Sequence, residues 1–235
     1  MLKANSDARV VKSCAPKRIL IANAKGGCGK TTLATNLAAI LASNENHSVA
    51  LVDHDPQGSS AQWNAARNVK LPSIYSVAAF RSEYMHSTRS FKLKVPSNTT
   101  HVINDTPAGL TGNELADLIT HNDIIIIPVV PSAIDIRAAT TFIKDVLLSA
   151  GFRSKPKPIA VVANRVKRNT LGYNKLEIFL KSLNIPFITA IRDTQHYVRA
   201  AEFGMGIYDF TQYNQKDLDE WKPLVKWLNY HLAKI

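Results

Sequence analysis

Cysteine is scarce, with only Cys14 and Cys28 in 235 residues. Two cysteines cannot build a disulfide framework, and no Cys-x-x-Cys pair is present to hold zinc or an iron–sulfur cluster. A reducing cytoplasm is the simplest home for such a chain. Long apolar runs are missing as well. A membrane-spanning helix needs about 18 or more apolar residues, and the longest β-rich run, Ile124–Val130, is short and interrupted by Pro128. Met1–Lys17 is polar and has no apolar core, so it does not read as a secretory signal. No internal repeat and no low-complexity tract occurs. Acidic side chains are also in short supply: 18 Asp and Glu stand against 29 Lys and Arg, a formal net charge of +11. The surplus is uneven. Residues 1–150 carry 15 basic and 11 acidic side chains, and residues 151–235 carry 14 and 7. The C-terminal third is therefore the basic end. A basic surface of that kind suits a polyanion, although a merely solvated surface has the same composition.

What is present is an ordinary globular balance, 46% hydrophobic and 20% charged, which argues against a disordered body. Residues 1–17 read as a loose basic tail, and residues 18–235 as a single domain. Apolar runs suited to strands occur at Arg18–Asn23, Ser48–Asp53, His101–Asp105, Asp123–Val129, Pro158–Asn164 and Pro186–Ala190. Between them lie helical patterns at Thr31–Ser43, Ser59–Asn68, Gly112–Thr120, Ile134–Leu148 and Gly172–Leu183, with Thr194–Glu202 and Leu218–Ala233 closing the chain. Residues 69–98 read as a short strand and an irregular region holding Arg81, Arg89, Lys92 and Lys94. Alternating strands and helices predict an α/β fold: a doubly wound, mostly parallel sheet flanked by helices, with ligands at the carboxyl ends of the strands.

The segment Ala24-Lys25-Gly26-Gly27-Cys28-Gly29-Lys30-Thr31-Thr32 stands where the first strand hands over to the first helix. Small residues there let backbone N–H groups curl around phosphate oxygens, and the helix N-terminus adds its partial positive charge. In such a phosphate-binding loop Lys30 reaches the β- and γ-phosphates. The Thr31 hydroxyl binds Mg²⁺, and Thr32 meets the α-phosphate.

Acids follow at two further strand ends. The second strand closes in Asp53-His54-Asp55-Pro56-Gln57-Gly58 and a later one in Asn104-Asp105-Thr106-Pro107. Carboxylates beside a phosphate loop can hold Mg²⁺ and its waters and orient an attacking water. An alternative reading makes the first pair helix caps. His54 falls between two acids and is expected to point away from them. Asn104 interrupts the apolar run before Asp105.

The form Lys-Gly-Gly-x-Gly-Lys-Thr-Thr resembles the deviant Walker A box of the ParA/MinD superfamily of P-loop NTPases. Asp-x-Asp-Pro-Gln-Gly resembles the second motif of its ParA branch and not the corresponding MinD segment. The resemblance runs from about Arg18 to about Phe210. It implies ATP and Mg²⁺ as ligands and a weak, partner-stimulated ATPase. It implies that Lys25 reaches in trans across an ATP-bound homodimer. By the same match Asp55 positions the hydrolytic water, Thr31, Asp53 and Asp105 organise the metal, and Gly26, Gly27, Cys28 and Gly29 wrap the phosphates. Asn164 occupies a position that contacts the base in that family; from the residue alone it is equally a turn asparagine.

The resemblance further implies non-specific binding to double-stranded DNA, a ParB-like or cargo-adaptor partner, and a nucleoid-associated place in the cytoplasm. The expected role is plasmid or chromosome partition. Positioning of another cargo, such as a carboxysome or chemosensory array, shares all of this chemistry. Candidate DNA contacts are Arg165, Lys167, Arg168, Arg192, Arg199, Lys222 and Lys226, each of which could equally be a solvated side chain. Only 17 residues precede the first strand, so no N-terminal helix-turn-helix domain is expected. A MinD-like membrane switch is the rival: Trp221, Leu224, Val225, Leu228 and Leu232 form an apolar stripe that could lie in a membrane interface or pack on the core.

Overall fold

The computed structural model describes residues 15–80, 95–168, 170–182, 185–210 and 215–235. Most of the expected basic tail, with Cys14, and the basic residues Arg81, Arg89, Lys92 and Lys94 lie outside them. The strands are β1 (Lys17–Ile21), β2 (Val49–Asp53), β3 (Ile74–Ala78), β4 (His101–Asp105), β5 (Ile124–Val129), β6 (Ile159–Val166) and β7 (Phe187–Arg192). They form one parallel sheet in the order β3-β2-β4-β1-β5-β6-β7. The helices are α1 (Lys30–Ala42), α2 (Ser59–Ala65), α3 (Gly112–His121), α4 (Ala133–Leu148), α5 (Ala150–Ser154), α6 (Leu171–Ser182), α7 (Gln195–Glu202) and α8 (Gln215–Leu232). The doubly wound α/β expectation holds.

Two layers of helices explain the apolar runs. Ile19 and Ile21 of β1 join one core with α1 and α8, while Leu20 joins a second core with α3, α4 and β6. A strand covered on both faces has no solvent side and so no polar alternation. Pro128 fits inside the central strand β5 for a specific reason. Neighbouring residues send their N–H groups to opposite sides, and Ile125 N donates toward β6, to Pro158 O. Residue 128 therefore faces the β1 side, where Ala22 N donating to Ile126 O at 3.1 Å is the last rung and pairing ends at Ile21↔Ile126. The next rung would need an N–H at residue 128, so the proline stands where the β1 ladder stops.

The apolar stripe of α8 is core. Trp221, Leu224 and Leu228 are fully buried and Leu232 nearly so. The Trp221 indole N–H donates to the Tyr197 hydroxyl at 2.9 Å. That stripe is not available to a membrane. Among the described residues no helix is long and apolar enough to cross one. The expected tail ends slightly early: Lys17 already pairs with His101 in β1, and its Nζ donates to Leu232 O at 2.6 Å.

Candidate functional site

The phosphate loop runs from β1 into α1, as its sequence requires. Gly27 and Gly29 adopt left-handed φ values of 75° and 88°. Gly29 stands at the N-cap of α1, and no side chain caps that helix. Its first N–H groups are thus left facing the loop, which is the arrangement an anion fills. Lys30 is buried, and its Nζ donates to Lys25 O at 3.1 Å. Cys28 is buried beneath the loop with Sγ donating to the same carbonyl at 3.2 Å. Burial pushes its thiol pKa up, so it is a packing residue and not a nucleophile. Gly26, Gly27, Gly29, Lys30, Thr31 and Thr32 all line a cleft of about 670 Å³.

The acids gather at one edge of that cleft. Asp53 and Asp105 are direct partners in the β2–β4 register, and both are fully buried. Their situations differ. Asp53 Oδ1 accepts from Asp55 N at 3.0 Å and Oδ2 from Ala61 N at 2.9 Å. It therefore holds the following turn and the first turn of α2. Asp55 lies beyond the strand end, so strand alternation does not place it. The turn does: Asp55 Oδ1 accepts from Gln57 N at 2.9 Å, and the residue lines the cleft. The capping reading thus holds for Asp53, which reaches an N–H in the first turn of α2, and not for Asp55, whose partner lies in the preceding turn.

Asp105 is the exception. Neither of its oxygens has a hydrogen-bond partner. Burial, together with the neighbouring Asp53, pushes its carboxyl up to about 7; the Thr31 and Ser60 hydroxyls and Lys30 pull the other way. Those hydroxyls stand beside it without completing a hydrogen bond. A buried, unpaired carboxylate is costly unless something compensates it. A divalent cation held by one or two carboxylates, a threonine hydroxyl, water and phosphate would do so. Among the described residues no group of three or more His, Cys, Asp and Glu forms a protein-only cage. The donor set would suit Mg²⁺ shared with a phosphate ligand, and Thr31 and Asp105 are the residues that could hold it.

The far wall of the cleft comes from β6, β7 and α7. Asn164 Nδ2 donates to Cys28 O at 3.0 Å, tying β6 to the phosphate loop. Arg165 follows with a left-handed φ of 52°.

Arg192 also lines the cleft. Its Nε donates to the buried Asp217 at 2.5 Å, and His196 Nδ1 contacts the other oxygen of Asp217 at 2.5 Å. Burial alone would raise the Asp217 carboxyl, but these two partners outweigh it and hold it below the usual range. The Arg192 guanidinium is thereby anchored through Nε while its side chain stays partly exposed to the cleft. Arg165, Lys167, Arg168, Arg199, Lys222 and Lys226 are exposed. Arg165 and Lys167 approach Asp193 at 3.9 and 3.6 Å, and Arg168 approaches Glu220 at 3.9 Å. These contacts place the end of β6 beside the end of β7 and the first half of α8, the helix that carries Lys222 and Lys226. Lys222 pairs with Asp219 at 2.6 Å. Arg199 projects from α7.

One part of the site is not evident from sequence. His54 has a partner on the neighbouring strand: its Nε2 meets Asn104 Oδ1 at 2.9 Å. The signal was the interruption of two apolar strand ends by polar residues, His54 and Asn104, on adjacent strands.

A family model described as a CobQ/CobB/MinD/ParA nucleotide-binding domain matches residues 19–207. A relative named "Maintenance of carboxysome distribution protein A" from Halothiobacillus neapolitanus is 29% identical over 208 residues, covering 86% of this chain and 91% of that protein. A protein of the same name from Gloeobacter kilaueensis is 30% identical over 206 residues, covering 87% and 89%. Among solved structures, the ATP complex of Cyanothece McdA superposes with a TM-score of 0.71 at 16% identity, covering 93% of this chain and 96% of that one. At that identity the superposition shows a shared fold.

Proposed function

The chain belongs to the CobQ/CobB/MinD/ParA nucleotide-binding family, and from that premise we propose that it is a Mg²⁺-dependent ATPase that positions a cargo on DNA. The observation that carries the reading is the unpaired, buried Asp105 carboxylate under the phosphate loop. It supports a cation and a nucleotide phosphate meeting there.

In this reading Lys30 and the loop N–H groups from Gly26 to Thr32 hold the phosphates. Thr31 and Asp105 hold Mg²⁺, which neutralises phosphate charge when bound. Asp53 supports them by fixing the Asp55 turn. Asp55 orients the attacking water, and Lys25 acts on phosphates bound by a second copy. Asn164 meets the base. The exposed residues Arg165, Lys167, Arg168, Arg199, Lys222 and Lys226 contact DNA phosphates without reading sequence. Arg192 belongs to the same set through the part of its guanidinium that Asp217 does not engage.

The cargo form is favoured over plasmid partition by the relatives matched along most of their length, both named for carboxysome distribution. An adaptor protein on the cargo stimulates hydrolysis, and the working place is the nucleoid.

The test combines ATP hydrolysis with DNA binding under ATP, ADP and no nucleotide across a salt series. We expect slow Mg²⁺-dependent hydrolysis, abolished in Asp55→Ala while ATP still binds. DNA binding is expected with ATP alone and to unrelated duplexes, with log affinity falling about 0.9 per phosphate contact as log salt rises. Hydrolysis by Asp55→Ala at the wild-type rate removes the water-orienting role. No DNA binding in any nucleotide state removes positioning on DNA.

A further inference from the structure

The strand ends that carry Asp53, Asp55 and Asp105 also carry a polar pair on the opposite side of the sheet. Ala50 and Val52 of β2 and Val102 of β4 form a small apolar cluster there. His54 and Asn104 continue the same side, where an apolar pair would pack more cheaply. Instead a chain of hydrogen bonds begins. His54 Nε2 meets Asn104 Oδ1 at 2.9 Å, Asn104 Nδ2 donates to Asn122 Oδ1 at 2.7 Å, and Asn122 Nδ2 donates to Leu118 O at 2.8 Å. Asn104 and Asn122 are both buried. Asn122 is the C-cap of α3, and its own carbonyl accepts from the Lys157 ammonium.

The direction of this chain is fixed at one end. A backbone carbonyl can only accept, so Asn122 must turn its amide nitrogen to Leu118. Asn122 then offers an oxygen to Asn104, and Asn104 offers an oxygen to His54. The last link requires a donor, which places the imidazole proton on Nε2. The backbone of His54 is also held, with its N–H donating to Asp105 O at 2.9 Å. Main chain and side chain of residue 54 are therefore both anchored to β4, between the two acids of the turn.

We propose that His54 is a positioning residue for hydrolysis. Through Asn104 and Asn122 it clamps the Asp53–Asp55 turn to the end of β4, so that Asp55 meets the attacking water in one orientation. The inference rests on the reading of Asp55 given above.

The test is steady-state kinetics with parallel nucleotide titration and thermal melting. His54→Leu is expected to lower kcat by roughly tenfold, the scale expected when a reacting group is misplaced by less than 1 Å. KM and ATP affinity are expected to stay within about twofold. His54→Gln, whose amide nitrogen can reach the place of Nε2, is expected to restore most of kcat. The triple variant His54→Leu/Asn104→Leu/Asn122→Leu removes every side-chain partner in the chain of hydrogen bonds, so it is expected to regain thermal stability even if the single variant folds poorly. Its kcat is expected to stay low. Wild-type kcat in His54→Leu overturns the proposal. So does a kcat that returns together with stability in the triple variant. Wild type and Asp55→Ala are run alongside. If Asp55→Ala is as active as wild type, the reading of Asp55 fails; if Asp55→Ala is dead and His54→Leu is not, only the clamp fails.

Discussion

A methyl group added at Gly29 would lie 2.0 Å from Asn164 Nδ2, on a backbone already at φ 88°. Both facts forbid a side chain there. Gly29→Ala is therefore expected to displace Asn164 and distort the loop, weakening ATP binding by at least about tenfold, as measured by titration with a fluorescent nucleotide. Adding Asn164→Ala should not recover it, because the backbone strain remains. The glycine was legible in the sequence from its place before Lys30-Thr31. Its partner was not, because Asn164 lies far along the chain. Arg165 poses a related case. A left-handed arginine costs about 1 kcal/mol or more, and here it sits in an irregularity of the β6–β7 pairing between Ala163 and Val166. Arg165→Gly is expected to raise stability by roughly 0.5–1 kcal/mol in thermal or denaturant unfolding, by relieving that φ.

At the scale of elements, sequence pattern and structure part where local pattern is silent. The run at Pro158–Asn164 reads as ending at the asparagine, yet β6 resumes after the irregularity, and Val166 pairs with Arg192. Helix α5 is only five residues long and has no period to detect. Helix α3 shows how a distant residue completes an element. Its C-terminal carbonyls, Ile119 O and Thr120 O, with Asn122 O just beyond, all accept from Lys157 Nζ, which arrives from the start of β6. A cation there offsets the unpaired carbonyls and the negative end of the helix. Lys157→Met keeps the aliphatic stem and removes the donors. It is expected to cost about 1–3 kcal/mol in denaturant unfolding, with ATP affinity unchanged.

At the scale of the whole molecule, the two ends of the sheet do different work. The carboxyl ends hold the loop and the acids. The amino ends hold a pair of histidines, half-buried His47 and buried His101, with ring centroids 4.3 Å apart. Burial, with His47 and Lys17 nearby, pulls His101 down to about 4. An unfolded histidine titrates near 6.5. Between those values the unfolded chain binds a proton that the folded chain refuses, so acid favours unfolding. Stability carried by neutral His101 is present above pH 6.5 and is lost as pH falls toward 4, by about 1–2 kcal/mol after solvent screening. Thermal midpoints across this range check it, and His101→Phe should flatten that part of the profile.

The sequence alone determined the parallel α/β class, the phosphate loop and its lysines, and the acid at each strand end. These are local: a glycine-rich turn, a hydrophobic period and a charge at the end of an apolar run are set by neighbours in the chain. Tertiary structure decided which acid is left unpaired, that Arg192 is held by Asp217, that the α8 stripe is core, and that His54 and Asn104 are one unit. Each depends on contacts between residues distant in sequence, and burial acts only when the layers close. Asp53 and Asp105 look alike as letters. Only the fold supplies backbone N–H groups to one and withholds them from the other.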